Sequence, residues 1–251
     1  MVLEASIASP EMIQGIQMNL GSETPLTRQK IEASISVEEC LESVVAWVEQ
    51  NAGKNYFLKP LEEFHARYGK VNSEDDFYQA RMNYFLENCI LERPMTTVSG
   101  GRTPLSFFIE KNAQYTAGED ENSAVWRAFC GFRHSVFQVT KSGANAIVVK
   151  DLVADKVIKI QSKAGETLQY LGARSIFQGY IFGHHNQYVL SQGLILHPEL
   201  ANKEILMFIK QHRGIPKIQP SEIMRILAQI NIKFMRMQHV NPKVIYQAIF
   251  I

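Results

Sequence analysis

Hydrophobic positions along the chain change period twice. From about residue 30 to 92, apolar side chains recur at three- and four-residue steps, the signature of one buried helix face. Val37, Cys40, Leu41, Val44 and Val48 form the first stripe. Ser36 and Glu39 frame its start as a capping box, in which the serine hydroxyl takes an orphan amide and the glutamate reaches back. Gly53 supplies a left-handed stop. Pro60 fits the first turn of a second helix that ends at Gly69. Ser73-Glu74-Asp75-Asp76 opens a third helix towards Ile90, with carboxylates suited to the positive end of the helix dipole. After a break at 94–102, Thr103-Pro104 caps a short helix, and Ser123 opens another that carries Trp126 and Phe129.

At Arg133 the period falls to two. Segments 135–140, 146–152, 156–161, 167–173, 175–182 and 187–196 are rich in β-branched and aromatic residues, alternate, and are separated by short turns. Their regular spacing predicts an antiparallel β meander, closed into a curved sheet or small barrel. Helical spacing returns over 199–213, stopped by Gly214, and over 221–238, capped by Ser221. The fold class is therefore α+β. Residues 1–29 read as a flexible arm, 30–131 as a helical region and 132–198 as the β unit. Residues 199–251 read as C-terminal helices packed on what precedes them.

The run Phe132-Arg133-His134-Ser135-Val136-Phe137-Gln138-Val139, followed by Val149-Lys150-Asp151-Leu152, resembles a group of bacterial cytosolic proteins without an assigned activity. In that group a helical first half precedes an H-S-x-F-x-V strand and a second strand ending in D-L. The resemblance spans roughly residues 80–198 and implies a cytosolic α+β protein; it carries no functional residue. A cyclic-di-GMP-binding PilZ reading fails on spacing, because Arg127 and Arg133 do not form R-x-x-x-R and no serine or glycine follows Asp151 as required.

Composition adds one fact that periodicity misses. The formal net charge is +1, but residues 1–93 hold 8 basic and 15 acidic side chains, and 94–251 hold 18 basic and 10 acidic. The N-terminus lacks a basic, apolar signal pattern, and no run approaches the ~18 apolar residues of a membrane span, so a cytoplasmic location is expected. Cys40, Cys89 and Cys130 are far apart and make no CxxC pair, which argues against a disulfide framework or structural zinc. No cofactor and no metal centre is expected.

Candidate chemistry is sparse. His184 and His185 at a hairpin tip have side chains suited to acid–base work or metal binding, but adjacent strand residues face opposite ways. Asp151 at a strand end has the chemistry of a general base, though such aspartates more often bond their own turn. Arg102 follows a glycine pair into a helix N-terminus, a place where an anion can sit. Arg225, Lys233 and Arg236, with Gln229, fall on another face of the last long helix from its apolar stripe. The leading expectation is a non-enzymatic interaction or regulatory protein that binds another protein or an anionic ligand through these arginines and Lys233. An enzyme using the His184/His185 turn is the second reading. Nucleic-acid binding through the basic C-terminal helix is the third, weakened by an overall pI of 7.7. Homo-oligomerisation fits the apolar run 205–209. The opposite charges of the two halves pose a definite choice: they neutralise each other within one molecule or meet a partner.

Overall fold

The computed structural model describes residues 35–95, 101–162, 168, 170–184, 187–216 and 218–250, without the side chains of His184 and Gln187. Among the described residues, nine α-helices pack on one side of a five-stranded barrel.

The first helix, α1 (Val37–Ala52), begins with the anticipated capping box: Glu39 N donates to Ser36 Oγ at 3.2 Å, and Ser36 N donates to Glu39 Oε2 at 2.6 Å. It ends at Gly53 with φ +88° and ψ 153°, a positive-φ but extended stop rather than the left-handed helical one. Next comes α2 (Leu58–Tyr68), and Gly69 follows with φ +104°. That conformation favours glycine, and a Cβ there would stand 2.8 Å from Ile232 Cδ1.

The third helix, α3 (Tyr78–Leu91), starts later than the acidic run suggested. Residues 73–77 form turns instead, because Asp75 accepts from Asn72 N at 2.8 Å and so folds the chain back before the helix can begin. Three shorter helices follow: α4 (Pro104–Lys111), α5 (Gln114–Ala117) and α6 (Glu121–Cys130). Thr103 caps α4 as expected. The cap of α6 is Asp120 rather than Ser123, since its carboxylate accepts both Ser123 N and Ser123 Oγ at 2.9 Å.

The barrel strands are β1 (Arg133–Ser142), β2 (Ala146–Asp151), β3 (Lys156–Gln161), β4 (Ile176–His184) and β5 (Gln187–Leu190). A sixth, β6 (Ile195–His197), pairs with β4 beyond the end of β5. The order β1-β2-β3-β5-β4 closes through β4 pairing back on β1. All pairs are antiparallel except β3–β5, a parallel contact at Ile160 and Tyr188. That crossover makes the unit a Greek-key barrel rather than a plain meander. Two alternating segments are not the strands their pattern suggested. Among the described part of 167–173, Leu168 and Leu171 form a turn, Leu171 N to Leu168 O at 2.9 Å, that puts both leucines into the barrel core. Segment 187–196 breaks at Ser191–Leu194 into β5 and β6.

Three apolar clusters follow from strand alternation. Phe137, Val149, Ile160 and Phe177 point into the barrel. Tyr180 and Phe182, on the outside of β4, pack with α1–α4 and α6. Val136 and Ile176 pack with the C-terminal helices α7 (Asn202–His212), α8 (Pro220–Arg236) and α9 (Pro242–Gln247). Helices thus cover the outside of β1 and β4, while among the described residues nothing packs over the outside of β2 and β3: Val157 is 70% exposed. No helix among the described residues is long and apolar enough to cross a membrane.

Candidate binding surfaces

The two arginines singled out on α8 are engaged within the molecule. Arg236 Nη2 donates to Asp75 Oδ2 at 2.9 Å and to Lys70 O at 2.8 Å. Arg225 pairs with Glu222 one turn back and donates to Gln229 Oε1 at 2.9 Å. Gln229 in turn donates to Arg67 O at 2.8 Å. This face of α8 therefore lies against the end of α2 and the turn after it. Lys233, on the same helix, is exposed. Arg102 stands at the start of α4, away from this constellation in sequence, and pairs with Glu110 at 2.5 Å.

Asp151 is 2% exposed. Its Oδ1 accepts from Val153 N at 3.0 Å, Ala154 N at 2.9 Å and Ser135 Oγ at 2.5 Å, so that oxygen is committed to the β2–β3 turn and to β1. The backbone of His184 ends β4, opposite Gln187; His185 lies outside the described residues. Among the described residues no group of three or more His, Cys, Asp or Glu could hold a metal ion. Cys130 is exposed as a residue, but the protein packed beside its thiol withdraws enough solvent to push the pKa up to about 11, which leaves it protonated. Arg127, its neighbour in sequence, donates to Thr116 O and Gly118 O.

A different basic surface comes from the barrel. Register places Gln138, Lys150 and Val157 in one outward row across β1, β2 and β3, and Lys141, Val148 and Lys159 in the next. A β-bulge between Val139 and Lys141 turns Lys141 outward. Lys141, Lys156 and Lys159 are exposed. At the corner, Asp155 accepts from Lys150 Nζ at 2.8 Å and Arg213 at 3.2 Å, which holds its carboxyl below the usual range. Three lysines in two rows, two more cations at the edge and one carboxylate leave this face strongly positive. Sequence reasoning passed over it, although Lys150 and Lys159 sit at the polar positions of two alternating strands. The missing information was the register that aligns them with Lys141.

Beneath the opposite side of the barrel, α3 docks through a buried polar chain. His134 Nδ1 lies 2.9 Å from Glu92 Oε1, and its Nε2 2.7 Å from Tyr84 Oη. Gln178 Nε2 donates to Tyr84 Oη at 2.7 Å, so the tyrosine proton is free for His134 Nε2, and Nδ1–H is left to donate to Glu92. Burial raises the Glu92 carboxyl, but the His134 hydrogen bond, with a further bond to Tyr180, outweighs this and holds it low. The imidazole stacks on Tyr180 at 4.1 Å. Tyr84 is fully buried and the His134 side chain is 2% exposed, so this chain joins elements, with the Glu92 carboxylate, 33% exposed, at its outer end.

No family model, curated protein or solved structure matches this chain.

Proposed function

We propose that the protein is a non-enzymatic binding protein that takes an acidic protein partner on the open β1–β3 face of its barrel. The observation that carries this reading is the pair of outward rows holding Lys141, Lys150 and Lys159 around Val148 and the exposed Val157. A small apolar centre rimmed by like charge is the anatomy of a protein interface, where the rim steers an oppositely charged surface. The α8 arginines do not serve as the leading site, because Arg236 and Arg225 both pair with carboxylates, whereas in the rows that pairing is made by Lys150 with Asp155, and Lys141 and Lys159 are exposed.

One observation favours a second reading. Five-stranded Greek-key barrels of the OB type bind oligonucleotides on their strand 2–3 face, and the lysines here lie on that face. Against it, neither row carries an aromatic side chain on which a base would stack.

The experiment is affinity capture from the native cells with wild-type protein and a Lys141→Glu/Lys159→Glu variant. Both lysines are exposed, so the variant folds normally. Wild type should retain a partner at about 0.1 M salt and lose it at about 0.5 M, where screening is strong, and the variant should not retain it. Equal capture by the variant refutes the reading. A partner released by nuclease supports the oligonucleotide alternative instead.

A further inference from the structure

The helical side of the molecule carries the charge that would complement the lysine face. Residues 38–42, at the start of α1, and 119–121, leading into α6, hold six carboxylates and no lysine or arginine. The two runs are neighbours, because Ile35 N, just before α1, donates to Asn122 Oδ1, in the first turn of α6, at 2.8 Å. Glu42, Glu119 and Glu121 are exposed, and among the described residues none of them pairs with a cation. Arg127, the arginine of α6, turns back to Thr116 O and Gly118 O. Tyr115, 39% exposed on the short α5 that leads into this run, offers an apolar ring as counterpart to Val157.

This acidic surface and the lysine face of the same molecule lie on different sides of the barrel. Phe129 of α6 stacks on Phe182 of β4 at 5.3 Å, which seats α6 outside β4. β4 neighbours β1, β5 and β6, but neither β2 nor β3, which carry Lys150 and Lys159. Lys141 stands beyond Gln138, the last residue of β1 to pair with β4. Pairing within one molecule is therefore closed to these groups, and the Arg236–Asp75 pair uses none of them. A second molecule brings each surface the charge that the other lacks.

We propose, on the reading of the β1–β3 face as a protein-binding surface, that its acidic partner is a second copy of this chain, docked through the starts of α1 and α6. The contact is head to tail. Because the two surfaces point to different sides, a pair cannot close on itself, and each added copy leaves one lysine face and one acidic surface open.

Sedimentation velocity of the full-length protein, from micromolar to near-millimolar concentration, tests this. Wild type should grow past two copies at low salt and return to monomer at about 0.5 M, where screening is strong. Glu42→Gln/Glu121→Gln should weaken association about tenfold or more, and Lys141→Glu/Lys159→Glu should abolish it. All four positions are exposed, and a thermal melt verifies that both variants fold. Each variant keeps the surface that the other has lost. At concentrations where neither associates alone, their equimolar mixture should form a one-to-one pair that grows no further. A wild type that stays monomeric at low salt, one that stops at two copies, or undiminished association of Glu42→Gln/Glu121→Gln would each overturn the proposal. If a monomeric wild type still captures another acidic protein through Lys141 and Lys159, self-assembly falls and the lysine-face reading stands. If Lys141→Glu/Lys159→Glu matches wild type in both self-association and capture, both fall.

Discussion

Arg236, the last residue of α8, donates to Asp75, in the acidic first third, at 2.9 Å. The two residues belong to segments of opposite net charge, and here the excess of one meets the excess of the other. Arg236 is 42% exposed at its side chain and Asp75 18%, so the pair is a surface one and worth under ~1 kcal/mol. Asp75 does more, because it also caps Asn72 N. That bond, with the Arg236 contacts, outweighs burial and holds its carboxyl low. Arg236→Ala should therefore cost under ~1 kcal/mol and lose most of that effect in high salt. Asp75→Ala should cost about 1–2 kcal/mol, with little salt dependence in the excess. Urea unfolding at two ionic strengths measures both. Because the folded pKa of Asp75 is depressed, its contribution is complete above the ordinary aspartate range and is lost as pH falls through the folded value.

The His134 ring can be tested apart from its hydrogen bonds. His134→Phe keeps an aromatic ring on Tyr180 but removes the bonds to Glu92 and Tyr84. Glu92 would then lack its charge-assisted partner at the barrel–helix junction. The expected loss is about 2–3 kcal/mol in urea unfolding. A loss under ~0.5 kcal/mol would mean that packing alone holds α3 to the barrel.

Two buried groups tilt stability with pH in opposite senses. Glu87 is pushed up to about 8 by burial. Between the ordinary glutamate pKa and about 8 the unfolded chain is ionised while the folded one keeps its proton, so stability falls as pH rises across that window. His197 is driven down to about 3 by burial and by Arg81, and its Nδ1 lies 2.8 Å from Tyr246 Oη. Below about pH 6.5 the unfolded chain gains a proton that the folded chain refuses, so stability falls as pH drops. Glu87→Gln should raise stability more at pH 8 than at pH 5, and His197→Asn should reduce the loss between pH 6 and 4. Thermal melts across that range test both; a Glu87→Gln gain independent of pH would show that the carboxyl is ionised in the folded state.

The architecture was legible where local chemistry decides local structure. The Ser36/Glu39 box, the Thr103-Pro104 cap and the alternation of β2 and β3 each determine their element from adjacent residues. It was illegible where distant chain decides. Leu168 and Leu171 alternate like a strand with their neighbours but are drawn into a turn that fills the barrel. The parallel contact of Ile160 with Tyr188 depends on closure, which no local pattern encodes. The same reason hid the candidate site. Helical spacing displayed the α8 cations at once, although folding pairs two of them with carboxylates. The lysine face instead needs three strands in register, with a bulge that turns Lys141 outward.

Arg81 offers the sharpest test of what buried charge does here. It is 2% exposed, and Nη2 donates to Asn231 Oδ1 at 2.7 Å and Ala228 O at 3.2 Å, while Nη1 has no partner. No carboxylate pairs with it among the described residues, and burial drives its pKa down to about 10. A guanidinium in this position carries a desolvation cost that neutral acceptors offset only in part. Arg81→Met keeps most of the volume, removes that cost and leaves Asn231 Oδ1 short of one bond, so the net change should stay within ~1 kcal/mol or be stabilising. Arg81→Ala removes the same charge but opens a cavity between α3 and α8, and should cost about 3 kcal/mol. Urea unfolding of the two variants separates the contributions. If methionine is as damaging as alanine, the charge itself organises the α3–α8 contact, and Arg81 belongs among the groups that specify how the N- and C-terminal helices meet.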